Sequence, residues 1–115
     1  MRAGARQQVF GVFYRDYARD VAISSARPES LLGSRLPALA ERLLVDADNF
    51  LGVVDRNENI LQLYRDRDGL VVVELLRPGR DDHEQARLPL EQVLQRLAHL
   101  PPDFDGRLLA VAAED

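Results

Sequence analysis

Asp81-Asp82-His83-Glu84 is the densest polar cluster in the chain, and carboxylates beside an imidazole can hold a divalent metal or share a proton. Four consecutive residues in a loop do not converge on one ion without special backbone geometry, and no second histidine stands at ligand spacing. A solvated loop is the expectation, because catalytic sites draw their partners from several elements. Asp46 and Asp48 lack the glycine and distal glutamate of a calcium loop and read as a helix-terminating turn. Ser24, Ser25, Ser30 and Ser34 lie outside any Gly-x-Ser-x-Gly elbow, and helix capping accounts for Ser30 and Ser34. His99, near the end of an expected helix, suits a capping role at free carbonyls. Glu74 on a strand is the single residue nominated as an acid or base, since partial burial favours the protonated form of a carboxylate. No metal and no cofactor are expected.

What the chain lacks narrows the chemistry further. It has no cysteine, which excludes disulfides, thiol catalysis and cysteine-ligated zinc. All 15 basic residues are arginine, so a lysine Schiff base, a lysine base and a phosphate-loop lysine are excluded as well. Arginine codons displacing lysine codons in a GC-rich bacterial genome account for that bias. A formal net charge of -4 makes a poor ligand for duplex DNA, whose binding rests on neutralised phosphates, and Arg2 and Arg6 read as a solubilising tail. No nucleic-acid partner is expected. No apolar run reaches membrane-spanning length and no signal-peptide pattern opens the chain, so a cytoplasmic protein with no membrane partner is expected. At 115 residues a single domain with its own core is expected, with residues 1–6 frayed.

The elements that must position any site are clearest from Phe50 to Leu76. Three apolar runs are separated by Asp-Arg-Asn-Glu-Asn and Asp-Arg-Asp-Gly, which is hairpin punctuation and predicts a three-stranded antiparallel meander over 50–76. Arg67-Asp68-Gly69 suits a three-residue loop with glycine in the left-handed position. Counting outward pairs Arg65 with Val71, Leu63 with Val73 and Leu61 with Leu75. A five-residue loop at Asp55 to Asn59 then sets Val53 beside Leu61 and Leu51 beside Leu63, one apolar core face. The opposite face carries Phe50, Gly52, Val54, Ile60, Gln62, Tyr64, Leu70, Val72, Glu74 and Leu76, with Gly52, Gln62 and Glu74 as its middle row. An amide and a carboxylate side by side over a glycine dip can floor a shallow recognition groove, which makes Phe50, Gln62, Tyr64 and Glu74 the candidate binding residues. The competing expectation is that a helix or the N-terminal segment buries this mostly apolar face and Gln62 hydrogen-bonds Glu74.

Around the meander, helices are expected over 7–23, 34–45 and 89–100, giving an α+β fold. Phe10, Phe13, Tyr14, Tyr17 and Val21 follow helical spacing, against a competing strand from Val9 to Tyr14 favoured by β-branched and aromatic content and by Gly11. Ser24 to Ser30 is a connection. Leu36, Leu39, Ala40, Leu43 and Leu44 repeat on one helical face, with Ser34 as cap and Pro37 in the first turn. Arg77 to Arg87 is polar and reads as a long surface connection into a helix whose stripe is Leu90, Val93, Leu94 and Leu97. Leu108, Leu109 and Val111 suit an added C-terminal edge strand or a last helical turn.

LQLYRDRDGLVVVELL, the loop with His83-Glu84-Gln85-Ala86-Arg87 and the helix LPLEQVLQRLAHL follow one another over about half the chain. This layout resembles small uncharacterised bacterial proteins, and it is similar to the meander-and-helix build of immunity proteins from polymorphic toxin systems. The resemblance implies a non-enzymatic cytoplasmic protein that occludes a protein partner, and it transfers no individual residue's role. Alternatives are a secretion-chaperone-like protein that holds an unfolded client, in which case a homodimer is expected, and a small hydrolase using Glu74 with Gln62, or His83 with Asp81 and Asp82.

Overall fold

The computed structural model describes residues 8–80 and 83–109, with His83 described by its backbone alone. The fold is mixed α+β, an antiparallel sheet of seven strands with two helices. The strands are β1 (Val9–Asp16), β2 (Val21–Ile23), β3 (Glu29–Leu32), β4 (Phe50–Val54), β5 (Ile60–Arg65), β6 (Val71–Leu76) and β7 (His83–Leu88). The helices are α1 (Leu36–Leu43), between β3 and β4, and α2 (Leu90–Ala98), after β7. The sheet order is β2-β1-β4-β5-β6-β7, and β3 pairs with the same side of β1 as β2. β2 and β3 thus act as one edge strand, interrupted at residues 24–28.

The helix expected over 7–23 is β1, a turn and β2. β1 is an interior strand flanked by β3 and β4, and it buries residues on both of its faces. Phe10 and Val12 bury toward the core while Phe13 buries on the other face. With Phe13 buried on the face opposite Phe10 and Val12, the period-two signature is lost, and the aromatic positions then mimic helical spacing. The polar stretch before the last helix is likewise no simple connection, since 83–88 pairs along the whole of β6. Edge strands carry charged residues that discourage further pairing, which hides them in a hydropathy reading.

The helix expected over 34–45 spans Leu36–Leu43, preceded by a 3₁₀ turn over Gly33–Arg35. Ser34 lies inside that turn and caps nothing; Arg35 holds the N-cap position without a side-chain bond. The helix expected over 89–100 spans Leu90–Ala98 with Pro89 at its N-cap. His99 ends it with a backbone bond, its N–H donating to the Arg96 carbonyl at 3.1 Å. In place of a C-terminal edge strand, Gly106–Leu109 forms a 3₁₀ turn. Val111 lies outside the described residues, as do residues 1–6.

Both helices and the C-terminal segment pack on a single face of the sheet. Leu36, Ala40 and Leu43 of α1 and Val93 and Leu97 of α2 join Leu51, Val53, Leu61, Leu63, Val71, Val73 and Leu75 in one apolar cluster. Phe104 closes it by stacking on Phe10, with ring centroids 5.7 Å apart. Pairing within the meander is the one its turns require: Leu51 with Leu63, Val53 with Leu61, Leu61 with Leu75, Leu63 with Val73 and Arg65 with Val71. Gly69 takes φ +83°, the left-handed conformation that spares glycine a Cβ clash.

One buried carboxylate ties the β4–β5 loop to the C-terminal segment. Asp55 Oδ1 accepts the N–H groups of Asn57 and Asn59 at 2.9 and 2.8 Å, and its Oδ2 accepts Asn59 Nδ2 at 2.9 Å and the Phe104 N–H at 2.7 Å. Asp103, next to Phe104, accepts hydrogen bonds from Arg56 Nε and Nη2 at 2.8 and 2.7 Å on the solvent side. Asp55→Ala leaves four donors without their acceptor and is expected to cost about 2–4 kcal/mol by denaturant unfolding, far more than Asp103→Ala, whose ion pair is water-exposed.

Candidate functional site

The face of the sheet turned away from the helices is built from the residues that alternate with the core positions. Three cross-strand rows define it. The middle row is Phe13, Gly52, Gln62, Glu74 and Gln85; the second is Arg15, Phe50, Tyr64, Val72 and Arg87. The third begins with Gly11, Val54, Ile60 and Leu76 and ends at the His83 backbone. Among the described residues no helix covers these rows. Of the expectation that a helix or the N-terminal segment buries this face, the helix part is corrected among the described residues, because α1 and α2 spend their apolar stripes on the opposite face; residues 1–7 of the N-terminal segment lie outside the described residues.

Gly52 does not open a dip. Phe13 occupies it, its ring lying where a Gly52 side chain would stand: a Cβ built there would sit 2.1 Å from Phe13 Cζ. Phe13 is only 6% exposed and meets Phe50 edge-on with centroids 6.4 Å apart. Glycine in a strand often marks such an approach, and an aromatic ring laid across it restores the packing that glycine lacks. Gly52→Ala is therefore expected to destabilise the protein by about 1–3 kcal/mol, and combining it with Phe13→Ala should cost less than the sum of the two single changes in a double-mutant unfolding cycle.

Glu74 is held by two neighbours. Tyr64 donates its hydroxyl to Glu74 Oε2 at 3.2 Å, and Gln85 Nε2 donates to the same oxygen at 2.7 Å. The expected Gln62–Glu74 hydrogen bond does not form. Gln62 makes no side-chain hydrogen bond among the described residues, so its amide keeps both donors and its acceptor available. Burial, and then the charge and hydrogen bond of Glu74, push the Tyr64 hydroxyl above the usual tyrosine range. Neutral Tyr64 thus adds stability that is present below about pH 10 and lost as pH rises through the raised folded value. Replacing Glu74 with Gln should move that titration down. Phenolate absorbance, with Tyr64→Phe to identify the signal among three tyrosines, measures it.

Beside Phe50 and Gln62 the face deepens into an open groove of about 500 Å³, floored by Phe13, Phe50, Ile60 and Gln62 and walled by Tyr17 and Ser24. The wall depends on the β1–β2 turn. Asp16, buried, accepts the Arg19 N–H at 3.3 Å and Arg19 Nη1 at 3.1 Å. Buried Asn49 accepts the Tyr17 N–H at 2.9 Å and donates to the Leu43 carbonyl at 3.0 Å, tying the turn to the end of α1. Burial works to raise the Asp16 pKa, but the Arg19 hydrogen bonds and charge outweigh it and hold the carboxyl below its usual value. That stabilisation is complete above about pH 4 and disappears as pH falls through the depressed folded value. The acid limb of the melting curve should therefore flatten in Asp16→Asn.

Four of the residues expected to form a site, Phe50, Gln62, Tyr64 and Glu74, do lie on this one face. Phe13, Arg15, Tyr17 and Gln85 belong to it and were placed elsewhere by the sequence reading; the interior glycine at 52 is the signal that could have called for a ring across the strand. Asp81, Asp82 and the His83 side chain lie outside the described residues, and among those described no group of three or more metal-ligating side chains converges. Among the described residues no helix is long and apolar enough to cross a membrane. No protein-family model matches the chain, no curated protein matches it, and no solved structure matches it.

Proposed function

We propose that the protein is a non-enzymatic interaction domain that docks a folded protein partner on the helix-free face of its sheet. Support comes from one observation: a face spanning six strand positions, roughly 24 Å across at about 4.8 Å per strand, has no helix on it among the described residues. A surface of that width suits a protein rather than a small molecule. Its centre is half-buried and apolar at Phe50 and Ile60, with the free Gln62 amide between them and the anchored Glu74 beside it. Fixed apolar groups around an unpaired amide favour a partner that supplies the missing hydrogen bonds, since a partner without them leaves Gln62 desolvated and unsatisfied. Tyr64 and Gln85 hold Glu74 in one orientation, so its charge is presented without the entropy cost of fixing it on binding.

Occlusion of a cytoplasmic protein, in the manner of an immunity protein, is the mechanism this reading carries. Immobilised wild type and immobilised Gln62→Arg are exposed to the same lysate, and any protein held by the first alone is purified and titrated against both by calorimetry. The reading expects that partner to lose at least about tenfold in affinity for Gln62→Arg, with the variant's melting temperature unchanged. Equal affinity for both forms removes the sheet face from the account.

A further inference from the structure

The outer edge of β3 offers a second, separate surface. The Gly33 N–H donates to the Gln8 carbonyl at 2.7 Å, which fixes those two residues as a hydrogen-bonded pair. Bonded and non-bonded pairs alternate along an antiparallel ladder. Leu31 and Glu29 therefore exchange bonds with Phe10 and Val12, whereas Ser30 and Leu32, opposite Gly11 and Val9, turn their N–H and C=O groups outward. No strand pairs with that outward edge among the described residues.

An open groove of about 590 Å³ lies between this edge and α1, floored by Val12 and Tyr14 of β1. Glu29 and Leu31 line it from the same face of the sheet as Val12, Tyr14 and Ile23, while Ser30, at the intervening position, borders it at the backbone edge. Arg35, Leu39 and Arg42 form the facing wall along α1 and its N-cap. Arg15, Arg19, Arg56, Arg77, Arg87 and Arg107 each hold a carboxylate. Among the described residues Arg35 and Arg42, like Arg27, Arg65, Arg67 and Arg96, hold none, and these two stand on one wall of the groove. They stand seven residues apart, roughly 10 Å along the helix axis. Acidic side chains two or four residues apart on an extended strand, about 7 or 13 Å, bracket that separation.

The geometry points to an extended acidic segment of a partner protein that docks here as an added strand. Its backbone exchanges hydrogen bonds with Ser30 and Leu32, its apolar side chains rest on Leu31 and Leu39, and its carboxylates meet Arg35 and Arg42. Glu29 repels acidic groups at the start of the strand and so favours one placement of the ligand. This surface is independent of the helix-free face, and either can fail without the other.

A fluorescent peptide of alternating valine and glutamate tests it by anisotropy, against the same peptide with lysine for glutamate and a version N-methylated at alternate backbone positions. The glutamate peptide is expected to bind, with at least about tenfold loss for the lysine peptide, for the N-methylated peptide and for Arg35→Gln/Arg42→Gln. Ser30→Pro removes an outward N–H without touching the β1 ladder and should abolish binding while the protein stays folded. Glu29→Gln should tighten it. Absence of binding at about 1 mM peptide, equal binding of the lysine peptide, or undiminished binding of the N-methylated peptide overturns the proposal.

Discussion

The two helices among the described residues lie on the same side of the sheet, and the rest of the structure follows from that one-sidedness. A sheet this wide has two faces to protect, and α1, α2 and the C-terminal segment together cover only one. On the other face protection is local. Phe13 covers Gly52, and Val72, between Tyr64 and Arg87 in its row, is left only 3% exposed. The apolar groups that remain half-open are concentrated near Phe50 and Ile60, where the groove begins.

That division of labour explains why the polar groups of the two faces behave differently. Asp55, Asn49 and Asp16 are buried, and each accepts or donates several hydrogen bonds that hold a loop or turn in place. They are structural by their saturation, since a carboxylate with four donors on it has little capacity left for a ligand. Gln62 is the opposite case, a half-buried amide on an ordered strand with its hydrogen-bonding capacity unspent. Glu74 stands between the two, oriented by Tyr64 and Gln85 yet still at the surface.

The sequence made the meander legible because turn chemistry and apolar alternation agree there. Gly69 tolerates a left-handed conformation that leucine or valine would resist, and this alone fixes how Leu63 meets Val73 and how Gln62 meets Glu74. β1 was legible only as the competing strand from Val9 to Tyr14, because the spacing of its aromatics fits a helix equally well. β7 was hidden for the reverse reason: an edge strand exposes Gln85 and Arg87 and resembles a loop. The candidate site shared both fates. Phe50, Gln62, Tyr64 and Glu74 lie on meander strands and were found, while Phe13 and Gln85 lie on the two misread strands and were missed.

Accessibility of the helix-free face in the isolated protein is the claim on which the functional account stands. The chain's lack of cysteine allows it to be measured with single introduced thiols. Gln62→Cys, on this face, is compared in its rate of alkylation by a neutral maleimide with Ala26→Cys, on an exposed turn, and Val73→Cys, in the buried core. The account predicts that Gln62→Cys reacts at a rate near that of Ala26→Cys and at least about a hundredfold faster than Val73→Cys, whose exposure requires unfolding. A rate for Gln62→Cys as slow as that of Val73→Cys would mean that the face is covered, and would contradict the account.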